Sequence, residues 1–322
     1  MDKYLYIKDA SGKDIKISRL ILGGSSKNMI EGTYPPSFFQ KLYEEGIQTF
    51  DLARVYGNGK AEENFSRYLP LFPRDDVTII SKCCHPLFGV LKRVHRKAAF
   101  HDIEKTLTAL KCDHVDILLL HRDDESVPIE EIITFMNEIV KKGYTRAIGV
   151  SNFTYERVKK ANEYAIDHGL LPFMVNEPQF SLVVRNRDPW NNGSVSITGK
   201  RQEKEREFYQ KTMIPCLCYS SLADGYLSGK VRSDDPDFSR HLTSFSRKGY
   251  ESPENREILK RAEQLSFRKG VSLPSLALNY VLSQPFKTAC IVSMSSEKRI
   301  KDNLMAYDVN LSQEEIDDLL GK

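Results

Sequence analysis

The feature that most constrains this chain is a repeated alternation. Short, continuously apolar runs are each followed by a longer amphipathic stretch, eight times over. The runs are Leu20–Leu22, Thr49–Asp51, Val77–Ile80, Val115–Leu120, Ala147–Val150, Phe173–Val175, Ile214–Cys218 and Ala289–Val292. A strand that is apolar along its whole length is buried on both faces, as in parallel sheets. Helical patterns separate the runs, among them a helix opened by Asp102, one from Pro128 to Gly143, one capped by Thr154, and others at Glu203–Lys211 and Pro253–Gly270. Such alternation demands parallel strands joined by helical crossovers. Eight units predict an α/β fold of the closed (β/α)8 TIM-barrel type rather than an open sheet. A doubly wound sheet would carry G-x-G-x-x-G after an early strand, and Gly23-Gly24-Ser25-Ser26 does not fit it. Tyr4 to Ile17, with Gly12 in a polar turn, reads as an N-terminal β-hairpin closing the bottom of the barrel. Ser295–Ala306 and Ser312–Leu320 read as extra C-terminal helices. There is no low-complexity linker, so residues 1–322 read as a single domain.

Composition excludes several function classes. With 40% hydrophobic and 28% charged residues the chain has the balance of a globular protein rather than a disordered one. A net charge of +3 over 322 residues is too small to imply nucleic-acid or membrane binding. No run of about 18 apolar residues exists to span a bilayer. Met1 to Tyr6 lacks the apolar core of a signal peptide. The six cysteines lie mostly in or beside strand-like runs and read as reduced thiols, so the expected location is cytoplasmic. Cys83-Cys84 and Cys216-x-Cys218 lack partners at zinc-like spacing, and no metal is expected.

In a barrel, the polar residues at strand ends converge on one mouth. Here they are Asp51, Lys82, His121, Asn152, Glu177, Tyr219 and Ser221, with Tyr56 five residues beyond Asp51. Their chemistry is specific. A carbonyl that accepts hydride becomes an alkoxide and needs a proton donor. A free tyrosine, with a pKa of about 10, is a reluctant acid, and a neighbouring ammonium such as that of Lys82 lowers its pKa. Asp51 would hold Lys82 charged, and His121 would polarise the substrate oxygen. Each residue type also has an ordinary structural use: a capping aspartate, a half-buried tyrosine, a satisfied core histidine. A buried lysine is harder to explain structurally, because lysine is rarely buried without a partner.

Four motifs, in order, resemble the aldo-keto reductase family: Phe50-Asp51-Leu52-Ala53-Arg54-Val55-Tyr56-Gly57, Ile80-Ser81-Lys82, Leu119-Leu120-His121 and Ile148-Gly149-Val150-Ser151-Asn152-Phe153. The similarity runs from about Leu20 to Leu320. It implies a catalytic tetrad of Asp51, Tyr56, Lys82 and His121, and a nicotinamide cofactor bound without a Rossmann domain. It further implies cofactor contacts from Gly24, Ser25, Asp51, Ser151, Asn152 and Glu177, with Tyr219 stacked on the nicotinamide. The segment Ser221–Lys230, which includes Leu222, Gly225 and Leu227, resembles the family's pyrophosphate loop. Ser295, Ser296, Arg299, Asp302 and Asn303 match its adenosine-phosphate segment, where serine hydroxyls and a planar guanidinium suit a 2′-phosphate.

The implied function is NADPH-dependent reduction of small aldehydes or ketones, with NADH as the other possible cofactor. The partner is then a small carbonyl substrate, with no nucleic acid and no membrane, for a monomer or small homo-oligomer. The other reading the resemblance offers is a cofactor-binding regulatory subunit, since some relatives of this fold act mainly as potassium-channel partners. The sequence departs from the family pattern twice: Glu177 stands where many relatives have Gln, and Ser293 where many NADP-using relatives have Lys. Two long loops, Cys84 to Phe100 and Ser181 to Lys200, would set specificity. Phe88 and Trp190 are their candidate substrate-contacting aromatics, although Trp190 could equally anchor its loop. The cluster Lys92 to Lys97 reads as a solvated basic surface.

Overall fold

The computed structural model describes residues Met1–Lys322. The eight strands expected from the alternation are present and parallel. With β1 (Tyr4–Lys8) and β2 (Asp14–Ser18) as the N-terminal hairpin, they are β3 (Leu20–Gly23), β4 (Thr49–Asp51), β5 (Thr78–Cys83), β6 (Val115–Leu120), β7 (Thr145–Ser151), β8 (Asn176–Glu177), β9 (Cys216–Cys218) and β10 (Thr288–Val292). They form a closed barrel in the order β10-β3-β4-β5-β6-β7-β8-β9. The chain divides into two compact units, Tyr4–Glu177 and Pro178–Lys322 with Met1–Lys3.

In the first unit, β5 and β6 are buried at every position. Ile80 of β5 pairs with Ile117 of β6, and Lys82 with Leu119. Gly149 of β7 is required by close approach: a Cβ there would lie 2.6 Å from the Val175 carbonyl oxygen. The hairpin pairs antiparallel, Tyr4 opposite Ser18, and is stitched to the strands by polar contacts. Thr78 Oγ1 donates to the Lys16 carbonyl at 2.6 Å. Arg146 reaches both Asp9 and Asp116 at 3.0 Å. Asp116 is buried and accepts from two further donors, Arg74 at 2.9 Å and the Ile79 N–H at 2.8 Å.

In the second unit, Cys216 to Cys218 of β9 pair with Thr288 to Cys290 of β10. The surrounding helices include Glu203–Thr212, Pro253–Lys269, Leu273–Leu282, Glu297–Leu304 and Gln313–Leu320. Asn255, fully buried, fixes the start of the long loop by donating to the Val184 and Tyr250 carbonyls at 2.7 Å and accepting from the Val184 N–H at 2.9 Å.

Two boundaries differ from the sequence expectation. The sixth barrel strand is Asn176–Glu177, just after the apolar run Phe173–Val175. Asp102 does not open its helix, which starts at Arg96. Instead its carboxylate lies buried in mid-helix, gripped by Arg93 at 2.7 and 2.9 Å and by the Cys84 N–H at 2.8 Å. A tertiary ion pair, not a cap, accounts for this aspartate.

Truncating Asp116 strands the buried Ile79 N–H and removes one partner each from Arg74 and Arg146, which keep others. Asp116→Ala should therefore cost about 1–3 kcal/mol, read as a lower midpoint of chemical unfolding at unchanged slope. An unchanged midpoint would show that this junction contributes nothing.

Candidate active site

The first unit brings together most of the residues singled out at strand ends. Lys82 sits inside β5 with its side chain inaccessible to solvent. Its ammonium donates to Asp51 Oδ1, to the Leu52 carbonyl at 3.1 Å and to Tyr56 Oη at 3.2 Å. Those three contacts use all three hydrogens of an ammonium. Glu177 Oε2 lies 3.5 Å from the same nitrogen, buried and without a hydrogen bond. His121 follows β6, and its ring meets Tyr56 edge-on at 6.1 Å between centroids.

The loop that carries Tyr56 is built to hold it there. Gly57, Asn58 and Gly59 have φ values of 59°, 53° and 89°, a left-handed run that glycine tolerates. The Arg54 guanidinium closes over this run, donating to the Asn58 carbonyl at 3.0 Å, and fills the space a side chain at Gly59 would need. Arg54 is itself held at 2.6 Å by Glu62, which is fully buried and also accepts from Ser81 at 2.9 Å and Thr106 at 2.7 Å. Strand β5, the tyrosine loop and the helix Arg96–Leu110 are thus tied through one carboxylate.

The electrostatics follow from burial. Burial opposes the charge on Lys82, but the carboxyls of Asp51 and Glu177 and the phenol of Tyr56 outweigh it and push its pKa above the ordinary lysine value. Burial raises the Tyr56 pKa, and Lys82 opposes that rise without cancelling it. The expected acidifying effect of the lysine is present, but it is the smaller influence here. Burial also raises the carboxyl pKa values of Asp51 and Glu177, that of Glu177 the further. His121 is held neutral by burial, by Arg122 and by Lys82, and its Nδ1 is a buried atom without a hydrogen bond.

Gly24 donates its N–H to the Asp51 carbonyl at 2.7 Å, and Ser25 is exposed. Ser151 Oγ donates to the Glu177 carbonyl at 3.0 Å and accepts from Asn152 Nδ2 at 2.8 Å, so these neighbours are locked to each other. Phe88 is 91% exposed at the tip of its loop. The basic cluster that follows it is mostly exposed, as expected, and carries ion pairs of Lys92 with Asp124, Arg93 with Asp102 and Arg96 with Glu138.

Sequence reasoning missed four residues. Arg54 and Glu62 act on the tyrosine loop, and Arg122 is buried beside His121 and donates to its carbonyl at 2.8 Å. His85 is the fourth: its ring lies against that of His121, 4.6 Å between centroids. His85 Nδ1 contacts the Pro86 carbonyl at 3.0 Å. A carbonyl only accepts, so Nδ1 carries the proton and Nε2 is left as an acceptor. Only its position three residues past Lys82 could have signalled it.

The second unit contains the remaining candidates. Tyr219 accepts from Arg185 at 3.2 Å and meets Trp190 edge-on at 6.1 Å. Trp190 also packs on Phe245, and its loop is folded by Asp188, which accepts from the N–H groups of Trp190, Asn192 and Ser194. In the segment after β9, Ser221 Oγ donates to the Cys218 carbonyl, and the Leu227 N–H donates to the Leu222 carbonyl. Ser220, Ala223, Asp224 and Gly225 all have positive φ, giving a compact loop. Ser296 caps the helix Glu297–Leu304, and Arg299 Nη1 donates to Ser295 Oγ at 2.8 Å. Asn303 is buried with Nδ2 unpartnered. A cleft in this unit is lined by Ser228, Gly229, Arg232, Ser272, Lys298 and Asp302. No group of three or more His, Cys, Asp or Glu side chains is arranged to hold a metal ion, and no helix is long and apolar enough to cross a membrane.

A parallel eight-stranded barrel with a buried lysine joining a tyrosine and two carboxyls defines an α/β-barrel protein. The chain belongs to the aldo/keto reductase family, whose sequence model matches residues 20–321, and members of that family generally bind nicotinamide cofactors. It is 26% identical to L-glyceraldehyde 3-phosphate reductase of Escherichia coli O157:H7, over 87% of this chain and 81% of that protein. It is 28% identical to a probable voltage-gated potassium channel subunit beta of Arabidopsis thaliana, over 94% of this chain and 91% of that one. Among solved structures it resembles the thermostable aldo-keto reductase Tm1743 in complex with the inhibitor epalrestat, with a TM-score of 0.69 and 24% identity over 98% of this chain and 99% of that one. That likeness concerns the fold.

The two facing imidazoles predict an acid weakness. Burial, together with Arg122 and Arg93, pushes the His85 pKa from 6.5 down to about 4. As pH falls through that window the unfolded chain binds a proton that the folded chain refuses, so stability is lost on acidification. His85→Phe should show a shallower loss of unfolding free energy between pH 6.5 and about 4 than the wild type. Parallel curves would show that His85 titrates as freely in the folded state as in the unfolded.

Proposed function

We propose that this protein is an NADPH-dependent oxidoreductase that reduces small aldehydes or ketones to alcohols, with Tyr56 as the proton donor. The observation that carries the reading is the hydroxyl of Tyr56 standing 3.2 Å from a buried, charged Lys82. The nicotinamide, when bound, supplies hydride to the carbonyl carbon. Tyr56 Oη gives its proton to the carbonyl oxygen. The Lys82 ammonium stabilises the phenolate left behind, which offsets the burial that otherwise makes Tyr56 a poor acid. Asp51 holds Lys82 in line. His121, neutral, donates a hydrogen bond to the same oxygen without competing to protonate it.

The chain's own groups suit such a cofactor. Buried polar atoms of His121, Glu177 and Asn303 lack hydrogen bonds, as atoms awaiting a ligand do. In the second unit, Arg299, Lys298 and Arg232 supply cations for the 2′-phosphate that separates NADPH from NADH. Ser221, Leu222, Gly225 and Leu227 would present backbone N–H groups to the pyrophosphate, and Tyr219 would stack on the nicotinamide. Trp190, beside Tyr219, is the candidate substrate wall. The rival, a cofactor-binding subunit with little turnover, is favoured by the similarity to the Arabidopsis channel-subunit protein, and the set of tyrosine, lysine, carboxylate and histidine does not exclude it.

NADPH oxidation followed by absorbance over a panel of aldehydes and ketones tests the reading. Tyr56→Phe should lower kcat by about 10²–10⁴ while NADPH binding is kept. NADPH binding by the wild type with no turnover of any member would favour the regulatory subunit, and no binding of either nicotinamide cofactor would sink both. The loop clamp adds a second expectation. Glu62→Ala should release Arg54 and let Tyr56 drift, lowering kcat by about 10-fold or more with a smaller change in KM. Unchanged kcat in a folded Glu62→Ala protein would show that the clamp does not position Tyr56.

A further inference from the structure

Lys82 is the nearest cation to two buried carboxyls, and its hydrogen bonds favour one of them. All three of its ammonium hydrogens are engaged, by Asp51, the Leu52 carbonyl and Tyr56. Glu177 is therefore left at the edge of the Lys82 ammonium, with Oε2 3.5 Å from Nζ, buried and without a well-formed hydrogen bond. An ionised Glu177 would be an incompletely satisfied anion in a site that already contains the Asp51 anion, the arrangement in which one carboxyl of a pair keeps a proton. Burial and Asp51 disfavour its charge and prevail; Lys82, through its charge and a weak hydrogen bond, and last Arg122 favour it, and the guanidinium of Arg122 is held on the His121 carbonyl. Tyr56 and His121 are uncharged neighbours.

Any hydride donor must approach a carbonyl whose oxygen is held by Tyr56 Oη. Tyr56 Oη and Glu177 Oε2 both lie on Lys82 Nζ, at 3.2 and 3.5 Å. The nicotinamide is therefore within Coulomb range of Glu177 in a site shielded from water. Its reduced form has a neutral ring and its oxidised form a cationic one. We propose that Glu177 is a redox-linked proton carrier, which keeps its proton beside the reduced nicotinamide and releases it to solvent when the oxidised nicotinamide is bound. The balance is simple: one O–H bond of Glu177 breaks, the proton passes to bulk water, and the carboxylate stays behind as counter-ion to the ring. Tyr56, by contrast, spends its own proton on the substrate, so the two protons are separate.

Glu177 is then a positioning and selectivity residue toward the cofactor. Affinity for NADP⁺ should rise with pH, up to about tenfold per pH unit while Glu177 is still protonated in the free protein, while affinity for NADPH stays flat. A glutamine at this position would be neutral in both states and would flatten both.

The proposal rests on the proposed function, and the test separates the two. NADP⁺ or NADPH is mixed with the protein near neutral pH in weakly buffered indicator solution, and proton release is read per bound cofactor. NADPH is the reference because it carries the same phosphates. The wild type should release more protons with NADP⁺ than with NADPH, the excess approaching one, and Glu177→Gln should lose that excess. An excess that persists in Glu177→Gln would assign the proton to another group, and binding without any excess would overturn the coupling; both leave the reductase reading intact. Failure of either cofactor to bind would bring down the reading and the inference together. If Glu177→Gln does not fold, infrared difference spectra of the wild type decide. A protonated-carboxyl C=O band should disappear on adding NADP⁺ and persist with NADPH, and its absence from the free protein would overturn the proposal.

Discussion

The site depends on one buried ammonium. Lys82 is inside a strand that is buried at every position, and a lone charge there would be strongly disfavoured. It is tolerated because Asp51, the Leu52 carbonyl and Tyr56 accept its hydrogen bonds, Asp51 supplies opposite charge and a second carboxyl, Glu177, lies 3.5 Å away. The dependence is mutual. Without Lys82, Asp51 and Glu177 would be two buried acids with no cation beside them, and Tyr56 would lose the one neighbour that opposes its raised pKa. The charge on which the proposed proton donation by Tyr56 relies is thus also the charge that lets the carboxyls be buried.

The scaffold around this centre is layered. The strands fix Asp51, Lys82 and Glu177 through backbone register, with Asp51 opposite Ile80 and Ser151 opposite Glu177. Tyr56 comes from a loop, and loops need their own supports; here these are the left-handed turn at Gly57–Gly59 and the clamp from Glu62 through Arg54. His121 is set by its N–H on the Cys83 carbonyl and by the packing of His85 against its ring. Unpartnered atoms remain on His121 and Glu177, where unsatisfied polarity is what a binding site presents to its ligand.

Much of this was legible in the sequence. The apolar runs named the barrel strands because a parallel strand has no solvent face, and the polar residues that interrupt them at Asp51, Lys82 and His121 marked the cluster. What was not legible has physical causes. The strand Asn176–Glu177 is made of two polar residues, so hydropathy pointed to Phe173–Val175 beside it. Asp102 looked like a helix cap because its true partner, Arg93, is found only once the loop folds back. The clamp of Arg54 and Glu62 joins charged residues that ordinarily face solvent. His85 lay in a loop whose conformation propensity does not shape. The net effect on Tyr56 also escaped, because a sequence shows the neighbouring lysine but not the degree of burial that outweighs it.

The most direct test of the account follows the hydride itself. NADPH carrying deuterium at C4 of the nicotinamide is incubated with the protein and a small aldehyde, and the alcohol is examined by NMR. The account predicts deuterium on the carbinol carbon with the wild type and none above background with Lys82→Met. Deuterium transfer that is undiminished in Lys82→Met, or that fails in the wild type with every aldehyde and ketone despite NADPH binding, would contradict it.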